Sequence, residues 1–203
     1  PYTTLFRSLQ FEIVRLLIPL LRAFFGAQER EVLAGGNLFF YYRQGDPRAK
    51  VAPDVYVVED FALRAGENIP SWKVWERGGK VPSLAIEIVS KDIQKDYGPE
   101  EFQARYQALG VQDLVRYDPL VPLRPRQPRR LLTHFSRNED GLLVEQPREE
   151  QREQVYLPRH GFWLVHIEGQ KRLRLGLGSP TQILSLVPTE SERAQTEAAR
   201  AQA

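Results

Sequence analysis

Apolar residues at positions 9, 13, 16, 17, 20, 21 and 24 follow the three-and-four spacing of a helix with one buried stripe. This predicts an amphipathic helix over Leu9–Phe25, stopped at Gly26 and either kinked or divided by Pro19. Short strands follow around Glu29–Leu33 and Leu38–Arg43, with Gly35-Gly36-Asn37 between them as a hairpin turn. Two apolar, β-branched runs come next, Val51–Val58 and Leu84–Ser90, joined by a long connection that carries Trp72 and Trp75. Pro99 opens a second helix that ends at Leu109 before Gly110, and Asp113–Tyr117 is a further strand. A strand–helix–strand order from 84 to 117 predicts a crossover and a partly parallel sheet. From 131 onward, short strands at Leu131–Phe135, Leu142–Glu145, Gln154–Leu157, Phe162–Ile167 and Leu173–Leu175 predict an antiparallel extension. The alanine- and charge-rich end, 188–203, predicts a helix capped by Thr189 or Ser191, either a solvated tail or the start of a coiled coil.

Each strand at the centre of this pattern contains one acid. Asp54 interrupts Val51-Ala52-Pro53-Asp54-Val55-Tyr56-Val57-Val58, and Glu87 interrupts Leu84-Ala85-Ile86-Glu87-Ile88-Val89-Ser90. A carboxylate in a buried strand must be paired, protonated or bound to a cation. Asp54 and Glu87 suit a hard divalent ion such as Mg2+ or Mn2+, which takes oxygen donors and needs only one or two protein carboxylates. A backbone carbonyl near Val89 would assist. The alternative is that each acid pairs with an arginine or caps backbone amides.

Composition narrows the field. The 203 residues, 42% of them hydrophobic, are enough for one domain with a sizeable core. With no cysteine there is no disulfide, no thiolate metal site and no cysteine nucleophile. A formal charge of +2 neither demands nor excludes nucleic acid. The densest basic cluster, Arg124, Arg126, Arg129 and Arg130, is interleaved with prolines and reads as a solvated loop, with phosphate contact as the alternative. The apolar run 9–25 carries Glu12, Arg15 and Arg22, so neither a signal peptide nor a membrane span is expected, and a cytoplasmic location follows. Pro1–Ser8 resembles the translation of a sequencing-library adapter. Because the chain also has no methionine, the native sequence is expected to begin near Leu9.

Pro53-Asp54 followed about thirty residues later by Glu87 resembles the PD-(D/E)XK nuclease signature. Pro70–Pro82 running into Leu84–Ser90 is similar to the Uma-type restriction endonuclease family, as are Lys95-Asp96-Tyr97, Tyr106–Val111 and Leu114–Pro119. Leu173–Gly176 and Val187–Arg193 extend the similarity over most of 9–200, more loosely across 120–160. The resemblance implies an α/β fold of mixed α+β type: a restriction-endonuclease-like core with flanking helices and an antiparallel β extension. One domain would span 9–187. It further implies Mg2+- or Mn2+-dependent hydrolysis of phosphodiester bonds in DNA, with Asp54 and Glu87 as metal ligands and catalytic acids.

The superfamily's lysine, two positions after the glutamate, is replaced here by Val89. The family's alternative position in the next helix holds Glu101 and Phe102. Lys95, and after it Lys91, are the remaining candidates, and Lys95 is taken as the catalytic lysine. Without that lysine, the same fold would serve as a DNA-binding or self-assembling module, with homodimerisation through the helical tail.

Other residues read as structural. Glu12 matches the superfamily's helix acid but also fits a solvated face. Ser90 has no histidine nearby in sequence, and His134, His160 and His166 lack metal-ligand spacing. Trp72 and Trp75 suit packing better than base stacking, and the glycine pairs lack a phosphate-loop lysine.

Overall fold

The computed structural model describes residues 2–64, 66–89, 99–119, 131–147, 153–167, 169 and 172–201, without the side chains of 2–8, 99 and 100. In chain order its elements are α1 (Tyr2–Gly26), β1 (Val32–Gly35), β2 (Phe40–Tyr41), β3 (Lys50–Val51), β4 (Val55–Glu59), β5 (Trp72–Lys73), β6 (Leu84–Ile88), α2 (Pro99–Leu109), β7 (Asp113–Tyr117), β8 (Leu132–Arg137), β9 (Leu143–Glu145), β10 (Gln154–Leu157), β11 (Phe162–Ile167), β12 (Arg172–Ser179), β13 (Gln182–Leu186) and α3 (Glu190–Ala201). The central sheet has strand order β1-β4-β6-β7-β8-β9. Only its β6–β7 pair is parallel, as the crossover predicts; the other pairs are antiparallel.

Strand alternation divides the core in two. Val55, Val57, Leu84, Ile86, Ile88, Val115 and Tyr117 pack toward α1, and β11 and β12 add Phe162, Leu164, Leu173 and Leu175 to this cluster. The opposite face presents Tyr56, Val58, Ala85 and Leu114 to Tyr106 and Leu109 of α2 and to Phe40, Val51 and Trp72 of the small sheet β3-β2-β5. Glu87, two residues after Ala85, belongs to this second face, and Asp54, two before Tyr56, lies at its edge.

α1 runs unbroken through Pro19. A proline inside a helix costs about 3 kcal/mol, but Pro19 faces solvent while Leu17, Leu20, Leu21, Phe24 and Phe25 are buried on either side of it. Burial of the apolar stripe therefore outweighs the missing backbone bond.

The expected hairpin around Gly35-Gly36-Asn37 does not form. β1 pairs with β4 in the central sheet, whereas β2 pairs with β3 and β5 in another sheet. The glycines instead let the chain cross closely over the Asp54 segment. A side-chain carbon on Gly36 would collide with the Asp54 carbonyl oxygen and crowd Val14 and Ile18 of α1. The next amide, Asn37 N, donates to Pro53 O at 2.8 Å.

The late strands also divide differently from the expectation of one extension. β8 and β9 continue the central sheet, while β10–β13 form a separate antiparallel sheet. β13, which the sequence reading missed, is an edge strand with Leu184 exposed. In α3, Thr189 Oγ1 accepts from Glu192 N at 3.2 Å and Glu192 Oε2 accepts from Thr189 N at 2.7 Å. This reciprocal capping box makes Thr189 the cap. α3 buries no residue.

The histidines take structural places. His134 Nε2 meets Asp113 Oδ1 at 2.7 Å, and Tyr117 Oη meets His166 Nδ1 at 2.8 Å. His160 is fully buried between Glu59 at 3.3 Å and Asp113 at 3.4 Å, in contacts too poorly aligned to count as hydrogen bonds. Burial opposes its charge, but the two carboxylates outweigh that and raise its pKa. The imidazole in turn holds Glu59 down at about 2 despite burial. This cluster ties the turn before β11 to the end of the central sheet where β4 finishes and β7 starts.

Gly36→Ala should lower the urea unfolding midpoint, destabilising the chain by roughly 1–3 kcal/mol as overpacking does. Gly26→Ala, with nothing within 4 Å of the added carbon, should leave the midpoint unchanged. Equal midpoints for both variants would refute the close approach at Asp54.

Candidate metal centre

Asp54 lies just before β4 and Glu87 next to the end of the fully buried β6. The antiparallel register pairs Val55 with Ile86, which brings the start of one strand beside the end of the other. Asp54 Oδ2 accepts from Ile88 N at 2.7 Å, so the acid also caps the end of its neighbour strand. Asp54 Oδ1 accepts from Gln10 Nε2 at 2.6 Å. The Tyr106 hydroxyl of α2 donates to Glu87 Oε1. The two carboxyl groups act on each other's ionisation.

Relative exposure is 5% for Asp54 and 8% for Glu87. Burial raises the pKa of Asp54, opposed by the Ile88 amide, Gln10 and Glu87. Glu87 lies well above its ordinary value, first through burial and then through the Asp54 charge, with the Tyr106 hydroxyl pulling the other way. Tyr106 is itself raised well above the phenol range by burial and by Glu87, so it stays a donor. Two like charges in one buried site oppose each other's ionisation, and a cation between them would relieve this.

The acids line a cleft of about 480 Å³ together with Phe39, Arg48, Lys50, Phe102, Arg105 and Tyr106. Its cations come from β3, the loop before it and α2. The structure therefore brings Asp54 and Glu87 together as expected. Lys95, Lys91, Ser90 and the arginine cluster 124–130 lie outside the described residues. Glu12 is exposed, and Gln10 is the α1 side chain that reaches Asp54. Trp72 is fully buried and donates from Nε1 to Lys80 O at 2.8 Å, which makes it a packing residue. Val89 is buried, and Phe102 packs against Tyr106 with ring centroids 5.2 Å apart.

Sequence reasoning missed Gln10, Tyr106 and the cleft cations as site residues. Gln10 could have been found as a polar residue three and four positions before Ile13 and Val14, on the buried stripe of α1. Tyr106 shares the sheet-facing side of α2 with Phe102 and Leu109, so its hydroxyl needed a buried partner.

The family model described as "Uma2: Putative restriction endonuclease" matches residues 7–165, a span that contains α1, both acids and α2. The chain belongs to the Uma2 family. Its mixed α+β architecture is the one the resemblance implies. A solved structure described as a "putative nuclease belonging to DUF820", from Anabaena variabilis ATCC 29413, is 16% identical, with a TM-score of 0.44, over 76% of this chain and 73% of that one. No curated protein matches.

In this Uma2 chain the raised Glu87 pKa carries a stability consequence. The unfolded chain releases the Glu87 proton near 4.5 while the folded chain retains it, so stability is lost as pH rises from that value toward the folded-state pKa. Glutamine at 87 keeps an acceptor for Tyr106 and offers a donor to Asp54. Glu87→Gln should therefore raise the melting temperature at neutral pH by about 2–4 °C, the shift roughly 1 kcal/mol produces in a domain of this size. It should also flatten the pH dependence. A lower melting temperature would show that the pair is not repulsive.

Proposed function

We propose that this protein is a metal-dependent DNA endonuclease in which Asp54 and Glu87 hold Mg2+ or Mn2+. The supporting observation is the convergence of two buried carboxylates on one cleft that three cationic side chains also line. The donor set fits such an ion: both groups are hard oxygen donors, and a divalent cation would relieve the repulsion that otherwise keeps a proton on the pair. Among the described residues no group of three or more histidine, cysteine, aspartate or glutamate side chains is placed to hold a metal. A two-carboxylate site suits ions that retain water and substrate oxygens. When bound, the ion would polarise the phosphoryl group and lower the pKa of a water molecule.

The chain's own residues organise the site. Gln10 and the Ile88 amide hold Asp54 from opposite oxygens, and each oxygen keeps a further lone pair directed elsewhere. Tyr106 holds Glu87. Lys95 remains the sequence's candidate for assisting the water. Among the described residues no helix is long and apolar enough to cross a membrane.

A second reading, an impaired nuclease fold that binds DNA or self-assembles through the exposed α3, is favoured by the apolar Val89 and Phe102 at the family's lysine positions. One assay separates the two. Wild type should nick or cut DNA with Mg2+ or Mn2+ and not in chelator, and Asp54→Ala and Glu87→Ala should each reduce the rate at least about 100-fold. Calorimetry should show metal binding that Asp54→Ala removes. DNA binding without cleavage by wild type would establish the second reading.

A further inference from the structure

Among the described residues the cleft is lined by two acids and three cations, and the cations differ in how they are held. Arg105 is engaged by Glu101 at 3.0 Å on the same helix face. Arg48 stands beside Asp46 at 3.9 Å. Lys50 has no carboxylate partner among the described residues. Its ammonium instead lies 4.5 Å from the centroid of the Phe39 ring and 5.4 Å from that of Tyr41. β3 pairs Lys50 with Tyr41, so the rings hold the lysine from across the strand pair without neutralising it.

The backbone then links this lysine to the acids. Lys50, Ala52 and Asp54 all line the cleft. Between the lysine and the acid in sequence stands Ala52, whose small side chain fills little of the cleft.

We propose that Lys50 is the phosphate-contacting cation of the Asp54–Glu87 centre, a catalytic residue supplied from β3 ahead of Asp54 rather than from the segment after Glu87. This rests on the nuclease reading above. In the hydrolysis a water oxygen forms a bond to phosphorus and the bond to one bridging ester oxygen breaks. The water gives a proton to solvent, and the leaving oxygen takes one from solvent. Lys50 changes no bond; its charge offsets the negative charge that grows on the phosphoryl oxygens. Phe39 and Tyr41 are positioning residues that fix the ammonium.

The test compares wild type, Lys50→Ala, Lys50→Arg, Lys95→Ala and the control Lys73→Ala, whose lysine is paired with Glu76 outside the cleft. Cleavage is measured with Mn2+, DNA affinity by anisotropy with Ca2+, and folding by melting temperature. Lys50→Ala should lower kcat at least about 100-fold while melting temperature stays unchanged and DNA affinity falls less than about tenfold. Lys50→Arg should recover part of the rate, and Lys73→Ala should match wild type. A Lys50→Ala rate within about threefold of wild type, with Lys95→Ala slow, would overturn the proposal and leave the nuclease reading standing. A wild type that cuts no DNA would remove both.

Discussion

Two like-charged acids buried side by side are the constraint around which the rest of this structure is arranged. Glu87 sits next to the end of a strand with no exposed residue, and Asp54 sits beside it just ahead of the neighbouring strand. Such a pair is tolerable only with fixed donors and a shared proton or a cation. α1 provides one donor through Gln10, β6 another through the Ile88 amide, and α2 a third through Tyr106. The crossover helix, the first helix and the central sheet thus meet at one polar point, and Gly36 gives up a side chain so that β1 can leave past it.

Much of the fold was legible in the sequence because strand and helix periods are local. The stripe of α1, the Pro99–Leu109 helix and the parallel β6–β7 pair all follow from residue spacing, whereas the shared face of Asp54 and Glu87 comes from the strand register. The hairpin failed for a physical reason. Gly35-Gly36-Asn37 satisfies a turn, but turn chemistry does not reveal which sheet the next strand joins, and here close packing on Asp54 decides it. Pro19 likewise passed through a helix because buried leucines and phenylalanines on both sides outweigh a local preference.

The site was only half legible. Carboxylates in apolar strands announce themselves because their burial needs an explanation, whereas a lysine on a short strand looks like any solvated lysine. Lys50 gains meaning only when Phe39 and Tyr41 come beside it and it lines the same cleft as Asp54. Membership of the Uma2 family, shown over residues 7–165, fits this arrangement of acids on a mixed sheet.

The distant cluster of His160, Glu59 and Asp113 does different work at the other end of the same strands, joining the second sheet to the first by charge. Everything functional in the account therefore rests on whether the Asp54–Glu87 pair holds a divalent cation. Anomalous diffraction from crystals soaked in Mn2+ tests this most directly. One strong peak is expected within about 2.0–2.3 Å of a carboxylate oxygen of each residue. A well-ordered cleft with no peak there, at a soak concentration that labels other carboxylates on the surface, would contradict it.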